Sequence, residues 1–234
     1  VGVPYLDIVV RVAEVPNPNT SGPMSGFRLS GGGKVPTALV AASRLGLKTA
    51  LVAGIADDLF GTFIREELER EGVSLRHAVP VERSAVAVVL ADDATRSRTI
   101  LYSEADVPEL SLFDEEDGLE ARLVHVSASG PAERAAIRWA RRKRIPIMLD
   151  ADYYDPAFVD MAKDITLFIG SEHFFGEWLP GKDIGEKMTA IRQSGPRVVI
   201  ATQGERGCVL LDENGLRHIP AFRVETVDTT GAGD

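Results

Sequence analysis

Three glycine-rich segments hold the residues whose types and spacing could do chemistry. The last of them, Asp228-Thr229-Thr230-Gly231-Ala232-Gly233-Asp234, is the most informative. Gly-Ala-Gly can turn successive backbone N–H groups toward one point and so form an anion nest, with Asp234 at its mouth. A carboxylate beside an anion hole suits one kind of chemistry, in which it accepts a proton from a hydroxyl while the nest holds the group being transferred. An Asp after glycines also reads as a helix N-cap, and the two readings are compatible. Earlier, Gly31-Gly32-Gly33-Lys34 precedes a helix-like segment, Thr37 to Leu45. Glycines there admit a ligand close to the backbone, and the helix offers N–H donors. The segment is not a Walker loop, because Lys34 is followed by Val35, and Pro36 breaks a dinucleotide fingerprint. A structural turn would look the same. Thr202-Gln203-Gly204-Glu205-Arg206-Gly207 could wrap a phosphate, or be a plain loop between two strands.

The elements that must position these residues alternate along the chain. Thr49 to Ala53 reads as a buried strand, followed by a helix with Phe60, Phe63, Ile64 and Leu68 on one face, stopped by Gly72. Leu123 to Val126 is a strand, and Ala132, Ala135, Ala136, Trp139 and Ala140 mark a helical stripe. The basic run Arg141 to Arg144 closes that helix, where cations oppose the negative end of its dipole. Ile147 to Leu149 and Thr166 to Ile169 are strands, Ile184, Met188 and Ile191 give another helix, and Arg197 to Ala201 is strand again. Such alternation implies a parallel sheet covered by helices. Two stretches break it: residues 9–30, with three prolines, and 84–102, a hairpin around Asp92-Asp93-Ala94-Thr95. They predict a small sheet that serves as a lid or as a contact between copies. A second hairpin turns at Asp212-Glu213-Asn214-Gly215.

Composition narrows the class. The chain has 234 residues, 44% hydrophobic and 26% charged, with a formal net charge of −9. That balance is globular, and the acidic excess argues against a nucleic-acid partner, which needs clustered cations. Its longest apolar runs are strand-length, so no membrane segment is expected. One cysteine, Cys208, excludes an internal disulfide and fits a reducing, cytoplasmic location. Asp150 and Asp152, after a strand, are candidate sugar or metal contacts, and Asp57-Asp58 reads as a helix cap. The four histidines have no ligand spacing.

Together these segments resemble the ribokinase-like (PfkB) carbohydrate kinases. The resemblance is carried by Gly32-Gly33 with Ala38 and Arg44-Leu45-Gly46, by Ala56-Asp57-Asp58-Leu59-Phe60-Gly61, by Glu71-Gly72-Val73, by Thr202-Gln203-Gly204 with Gly207, and most specifically by the closing motif. It implies a three-layer α/β fold over residues 1–234 as one domain. A mostly parallel central sheet would carry helices on both faces, with a β lid drawn from about 9–30 and 84–102. It implies phosphoryl transfer from ATP, accompanied by Mg²⁺, to a hydroxyl of a small sugar or ketose. Asp234 would be the base, and the N–H groups of Gly231, Ala232 and Gly233 the anion hole. Asp7, Gly32, Gly33, Lys34 and Thr37 would bind the sugar. Ser171, Thr202, Gly204 and Gly207 would face the nucleotide, and Asp228 would sit at a monovalent-cation site for K⁺. The inserted strands also suggest a homodimer through the lid.

Departures temper the substrate assignment. Thr37 stands where the family has a sugar-contacting Asn. The Asn-x-x-Glu motif that helps organise Mg²⁺ reads Ser171-Glu172-His173-Phe174, and Glu172, next to Ser171 and two residues before the Glu position, points elsewhere on a helix. These features, with Pro220-Ala221-Phe222, are similar to the sulfofructose kinase branch. A sulfonate needs a cationic clamp, for which Lys34 is the nearby candidate. The family continues past the closing motif, so the C-terminal part of the fold is expected to be missing and the 234-residue polypeptide to be a poor kinase by itself. Alternatives are a non-catalytic sugar-binding or regulatory homologue, and a nucleoside kinase.

Overall fold

The computed structural model describes residues 1–95, 97–103, 119–225 and 231–234. They group into two compact units, Gly2–Pro108, and Glu109–Asp234 with Val1. The first runs β1 (Tyr5–Val12), β2 (Met24–Gly32), α1 (Lys34–Arg44), β3 (Thr49–Ala56), α2 (Leu59–Arg70), β4 (Val73–Val81), β5 (Ala85–Asp92) and β6 (Ser97–Tyr102). β1 lies between antiparallel β2 and parallel β5, and β6 completes a four-stranded sheet in the order β2-β1-β5-β6. The 84–102 hairpin is therefore joined through β5 to β1, the strand that precedes the proline-rich stretch. Its turn is held by the Thr95 N–H, which donates to Asp92 Oδ1 at 3.0 Å.

β3 and β4 form a separate parallel pair, and α1 and α2 pack against these strands. Leu6, Val35, Leu51, Ile55, Ile64 and Leu68 are among the residues of the core between them. Each such side chain contributes about 1.5–3 kcal/mol on leaving water. Along the four-stranded sheet the register places Phe27, Leu29 and Leu101 on the face of Ile8, Val10 and Val88. All three of the former are exposed.

The second unit runs β7 (Val124–Val126), α3 (Pro131–Lys143), β8 (Ile147–Ala151), α4 (Pro156–Met161), β9 (Leu167–Ser171), α5 (Glu172–Glu177), α6 (Ile184–Ser194), β10 (Val198–Thr202), β11 (Cys208–Asp212) and β12 (Gly215–Ile219). Its sheet has the order β12-β11-β10-β9-β8-β7. β7 through β10 are parallel and the last two pairings are antiparallel. Short polar connections carry the reversals, and helices carry the crossovers, as parallel pairing requires.

The helix termini follow from local chemistry. α3 begins with Pro131, where a missing N–H costs nothing, buries its alanine stripe and Trp139, and ends at Arg144 with φ 58. Arg141, Arg142 and Lys143 occupy its last turn, and Arg141 pairs with Asp164, so the basic run closes a helix as expected. α6 has a reciprocal cap: the Glu186 N–H donates to Asp183 Oδ1 at 2.9 Å, and the Asp183 N–H to Glu186 Oε2 at 3.1 Å. Among the described residues no helix is long and apolar enough to cross a membrane.

Candidate functional site

The residues expected to bind sugar lie in the first unit, around the β2–α1 junction. Asp7 is the register partner of Ser30, and its carboxylate lies over Gly32: a Cβ on Gly32 would come within 2.3 Å of Asp7 Oδ2. Next, Gly33 has φ 98, and a Cβ there would stand 2.3 Å from the Val3 carbonyl oxygen. Glycine is thus required twice in succession, once by a neighbouring carboxylate and once by a backbone turn. That turn delivers the chain into α1, whose first residue is Lys34 and whose ladder opens with the Thr37 N–H donating to the Gly33 carbonyl at 2.9 Å. No side chain caps this helix and no acidic residue stands in its first turn.

Beside the junction is a cavity of about 240 Å³ whose wall includes Gly32, Thr37, Tyr5, Arg44, Glu67 and Glu71. Asp7, Gly33 and Lys34 are not on that wall, so the cavity takes in two of the five expected sugar contacts. Glu67 accepts from the Gly31 N–H, and Arg44 clamps Glu71 through two hydrogen bonds of 2.7 Å. The Arg44 guanidinium holds the Glu71 carboxyl below the usual range. Asp58 is the N-cap of α2, as its position suggested, accepting from the Gly61 N–H at 2.7 Å. It also accepts from Ser84 Oγ at 2.7 Å and the Ser84 N–H at 3.1 Å. Burial alone would raise its carboxyl pKa, but the Ser84 hydroxyl and the surrounding N–H donors outweigh that and lower it.

The residues expected to face a nucleotide lie in the second unit. Ser171 and Thr202 end β9 and β10 and are direct register partners, at the carboxyl edge of parallel strands where α/β folds place ligands. Gly204–Arg206 forms a 3-10 turn after Thr202, with φ 56 at Gly204 and φ 91 at Gly207. The turn closes through the Gln203 N–H donating to the Gly207 carbonyl at 2.8 Å. Ser171 caps α5 by accepting from the Phe174 N–H at 3.0 Å, and its hydroxyl donates to the Asp152 carbonyl.

Phe174, which the resemblance sets at the Glu of the Asn-x-x-Glu motif, is fully buried. Its ring sits 5.3 Å from Phe168, 5.1 Å from Phe175, 6.0 Å from Tyr154 and 6.1 Å from Trp178. Phe174 is part of the core, and Glu172 pairs with Arg206. Among the described residues no cluster of three or more His, Cys, Asp or Glu side chains could hold a metal ion. His125 on β7 is half-buried, with its Nε2 buried and without a hydrogen-bond partner, and burial pushes its pKa down to about 4.

In the closing motif, Gly231 has φ 77 and the Asp234 N–H donates to the Gly231 carbonyl at 3.2 Å, so Gly231 to Asp234 form a tight turn with Ala232, Gly233 and Asp234 exposed. Asp228 lies outside the described residues. Two features escaped the sequence reading: the Glu172–Arg206 pair and the cavity walled by Tyr5, Glu67 and Glu71. The only signal for the former was an arginine inside a glycine turn.

Comparison with known proteins places this geometry in context. The profile of the pfkB family carbohydrate kinases matches residues 3–234. A nucleoside kinase of Methanothermobacter thermautotrophicus is 27% identical over 248 residues, covering 100% of this chain and 78% of that protein. A ribokinase of Bacillus subtilis is 27% identical over 240 residues, covering 100% of this chain and 80% of that protein. The structure of Arabidopsis thaliana ribokinase complexed with ribose and ATP superposes with a TM-score of 0.81 at 19% identity, covering 99% of this chain and 80% of that one. This last likeness establishes a ribokinase-like α/β fold.

Proposed function

The chain belongs to the pfkB family of carbohydrate kinases, and on that premise we propose that it moves the γ-phosphoryl group of ATP to a hydroxyl of a small sugar or ketose, within one catalytic domain spanning residues 1–234. The observation that carries the reading is the closing turn, a carboxylate at the end of a glycine-initiated reversal. Asp234 takes the proton from the acceptor hydroxyl, and the oxygen attacks the γ-phosphorus in line as the bond to the departing ADP oxygen breaks. The N–H groups of Gly231, Ala232 and Gly233 stabilise the charge on the transferring group. Asp7 accepts hydrogen bonds from sugar hydroxyls, beside the start of α1, with Gly32, Gly33, Lys34 and Thr37 around it. Ser171, Thr202, Gly204 and Gly207 border the polyphosphate. Mg²⁺ enters with the nucleotide, and K⁺ at Asp228 belongs to the same proposal.

The test is sugar-dependent ADP release. Asp234→Asn should lower kcat by about 10²–10⁴-fold, the usual contribution of a positioned base. A variant that kept most of its activity would remove Asp234 from this role. A second reading, phosphorylation of a nucleoside, is supported by the 27% identical nucleoside kinase. A screen of adenosine against ribose and ketohexoses separates the two. A third, sugar binding without transfer, draws on the burial of Phe174 where the family has a carboxylate, and calorimetry showing sugar uptake without ADP release would favour it. The exposed Phe27, Leu29 and Leu101 on one sheet face support a homodimer through these strands, which sedimentation of wild type against Phe27→Glu tests. A cytoplasmic location goes with the ATP consumed and with the single cysteine.

A further inference from the structure

The Glu172–Arg206 pair has a place in the fold that a packing role does not explain. Arg206 ends the 3-10 turn that follows Thr202, and Glu172 is the first residue of α5, directly after Ser171. Because Ser171 and Thr202 are register partners, the pair spans the carboxyl edge of β9 and β10, the side on which ligands meet parallel strands. The main chain of the turn is fixed by other contacts: the Arg206 carbonyl oxygen lies 2.8 Å from His218 Nε2, and the Gln203 N–H donates to the Gly207 carbonyl. The guanidinium is thus displayed on a rigid turn, not folded into one.

Both partners are largely in water, with side-chain exposures of 58% for Arg206 and 62% for Glu172. An exposed ion pair of this kind is weak and salt-sensitive, so a better anion can take the guanidinium. A phosphate group is such an anion, because the planar fork of arginine meets two of its oxygens at once. Glu172 is also the only carboxylate in Ser171–Phe174, since Phe174 is buried among aromatic rings.

We infer that Arg206 is a ligand of the nucleotide's polyphosphate and that Glu172 is its placeholder, pairing with the guanidinium until phosphate oxygens displace it. This rests on the kinase reading above. A placeholder lowers apparent anion affinity by the fraction of protein in which the arginine is already engaged. The two residues must then act with opposite signs on the same equilibrium.

Calorimetric titration with ATP, and separately with inorganic tripolyphosphate, tests this at fixed ionic strength. Arg206→Ala should weaken both by about tenfold, the scale of one lost charge-assisted contact. Arg206→Lys, which keeps the charge without the fork, should fall between. Glu172→Gln should tighten both by about threefold. Sugar affinity and the denaturation midpoint should not move in any of them. Equal affinities in all variants, or Glu172→Gln and Arg206→Ala changing affinity in the same direction, would overturn the inference while sugar-dependent ADP release by the wild type kept the kinase reading intact. A wild-type chain that takes neither anion and releases no ADP would refute both.

Discussion

The glycine turns of the two units need glycine for different reasons. At Gly32 and Gly33 a side chain would strike atoms already present, the Asp7 carboxylate and the Val3 carbonyl oxygen, each at 2.3 Å. At Gly204 nothing lies within 4 Å of the place a Cβ would occupy, although φ is 56. The first turn is closed by its own protein, and its glycines let a carboxylate and a helix start approach one another. The second is open on one side, and its glycine answers to the backbone angle alone. One turn has its partner built in, whereas the other has open space beside it.

Replacing the closed turn should therefore cost stability, and replacing the open one should cost binding. Gly33→Ala carries the largest effect, about 3 kcal/mol or more, since it combines a left-handed φ with a backbone collision. Circular dichroism in urea measures it, and a loss of under about 1 kcal/mol, within the range of ordinary surface changes, would show that the junction relaxes freely.

Acid should also separate the two units. The His125 pKa is lowered to about 4 in the folded chain from about 6.5 unfolded. The unfolded chain then binds more protons between those values, and stability falls as pH drops from about 6.5 to about 4, by roughly 3 kcal/mol in all. His125→Gln should flatten that slope. In the first unit Asp58 has a lowered carboxyl pKa, so its contribution is present above about 3.9 and is lost only as pH falls through the folded value. Acid titration of the wild type and His125→Gln, followed by amide exchange, would show the second unit loosening at the higher pH. A single coincident transition in both would contradict this.

Gly32→Ala should cost about 2 kcal/mol, and less than half of that in an Asp7→Ala background, where the colliding carboxylate is gone. An unchanged penalty in the double-mutant cycle would mean that Asp7 is not what requires the glycine. The smallest effect on stability belongs to Gly204→Ala, about 1 kcal/mol from its φ alone. Its KM for ATP should rise by more than that loss accounts for. If KM were unaltered, the open turn would have no part in binding ATP.

Much of the fold was readable because it repeats a period. The alanine stripe of α3, the Asp58 cap and the hairpin at Asp92 are written in neighbouring residues, and local rules suffice for them. β4 was not readable: Arg76, His77 and Pro80 interrupt its apolar pattern, and its existence depends on pairing with β3, where the proline sits in an edge strand. The six-residue helices α4 and α5 are too short to show a period. At the site, glycines announce backbone geometry directly, so both turns stood out. The Glu172–Arg206 pair did not, because its members are 34 residues apart and meet only when β9 and β10 align. Phe174 marked a departure in the sequence, but only its aromatic neighbours reveal what it became.

The position of the indoles has a practical consequence. Both tryptophans of the chain, Trp139 in α3 and Trp178 against Phe174, belong to the second unit. The first has tyrosines in their place, among them Tyr5 and Tyr102, whose rings meet edge-on at 6.4 Å. Fluorescence excited at the red edge therefore arises from the second unit alone, and an indole introduced at the Asp7 junction would give the first unit a signal of its own.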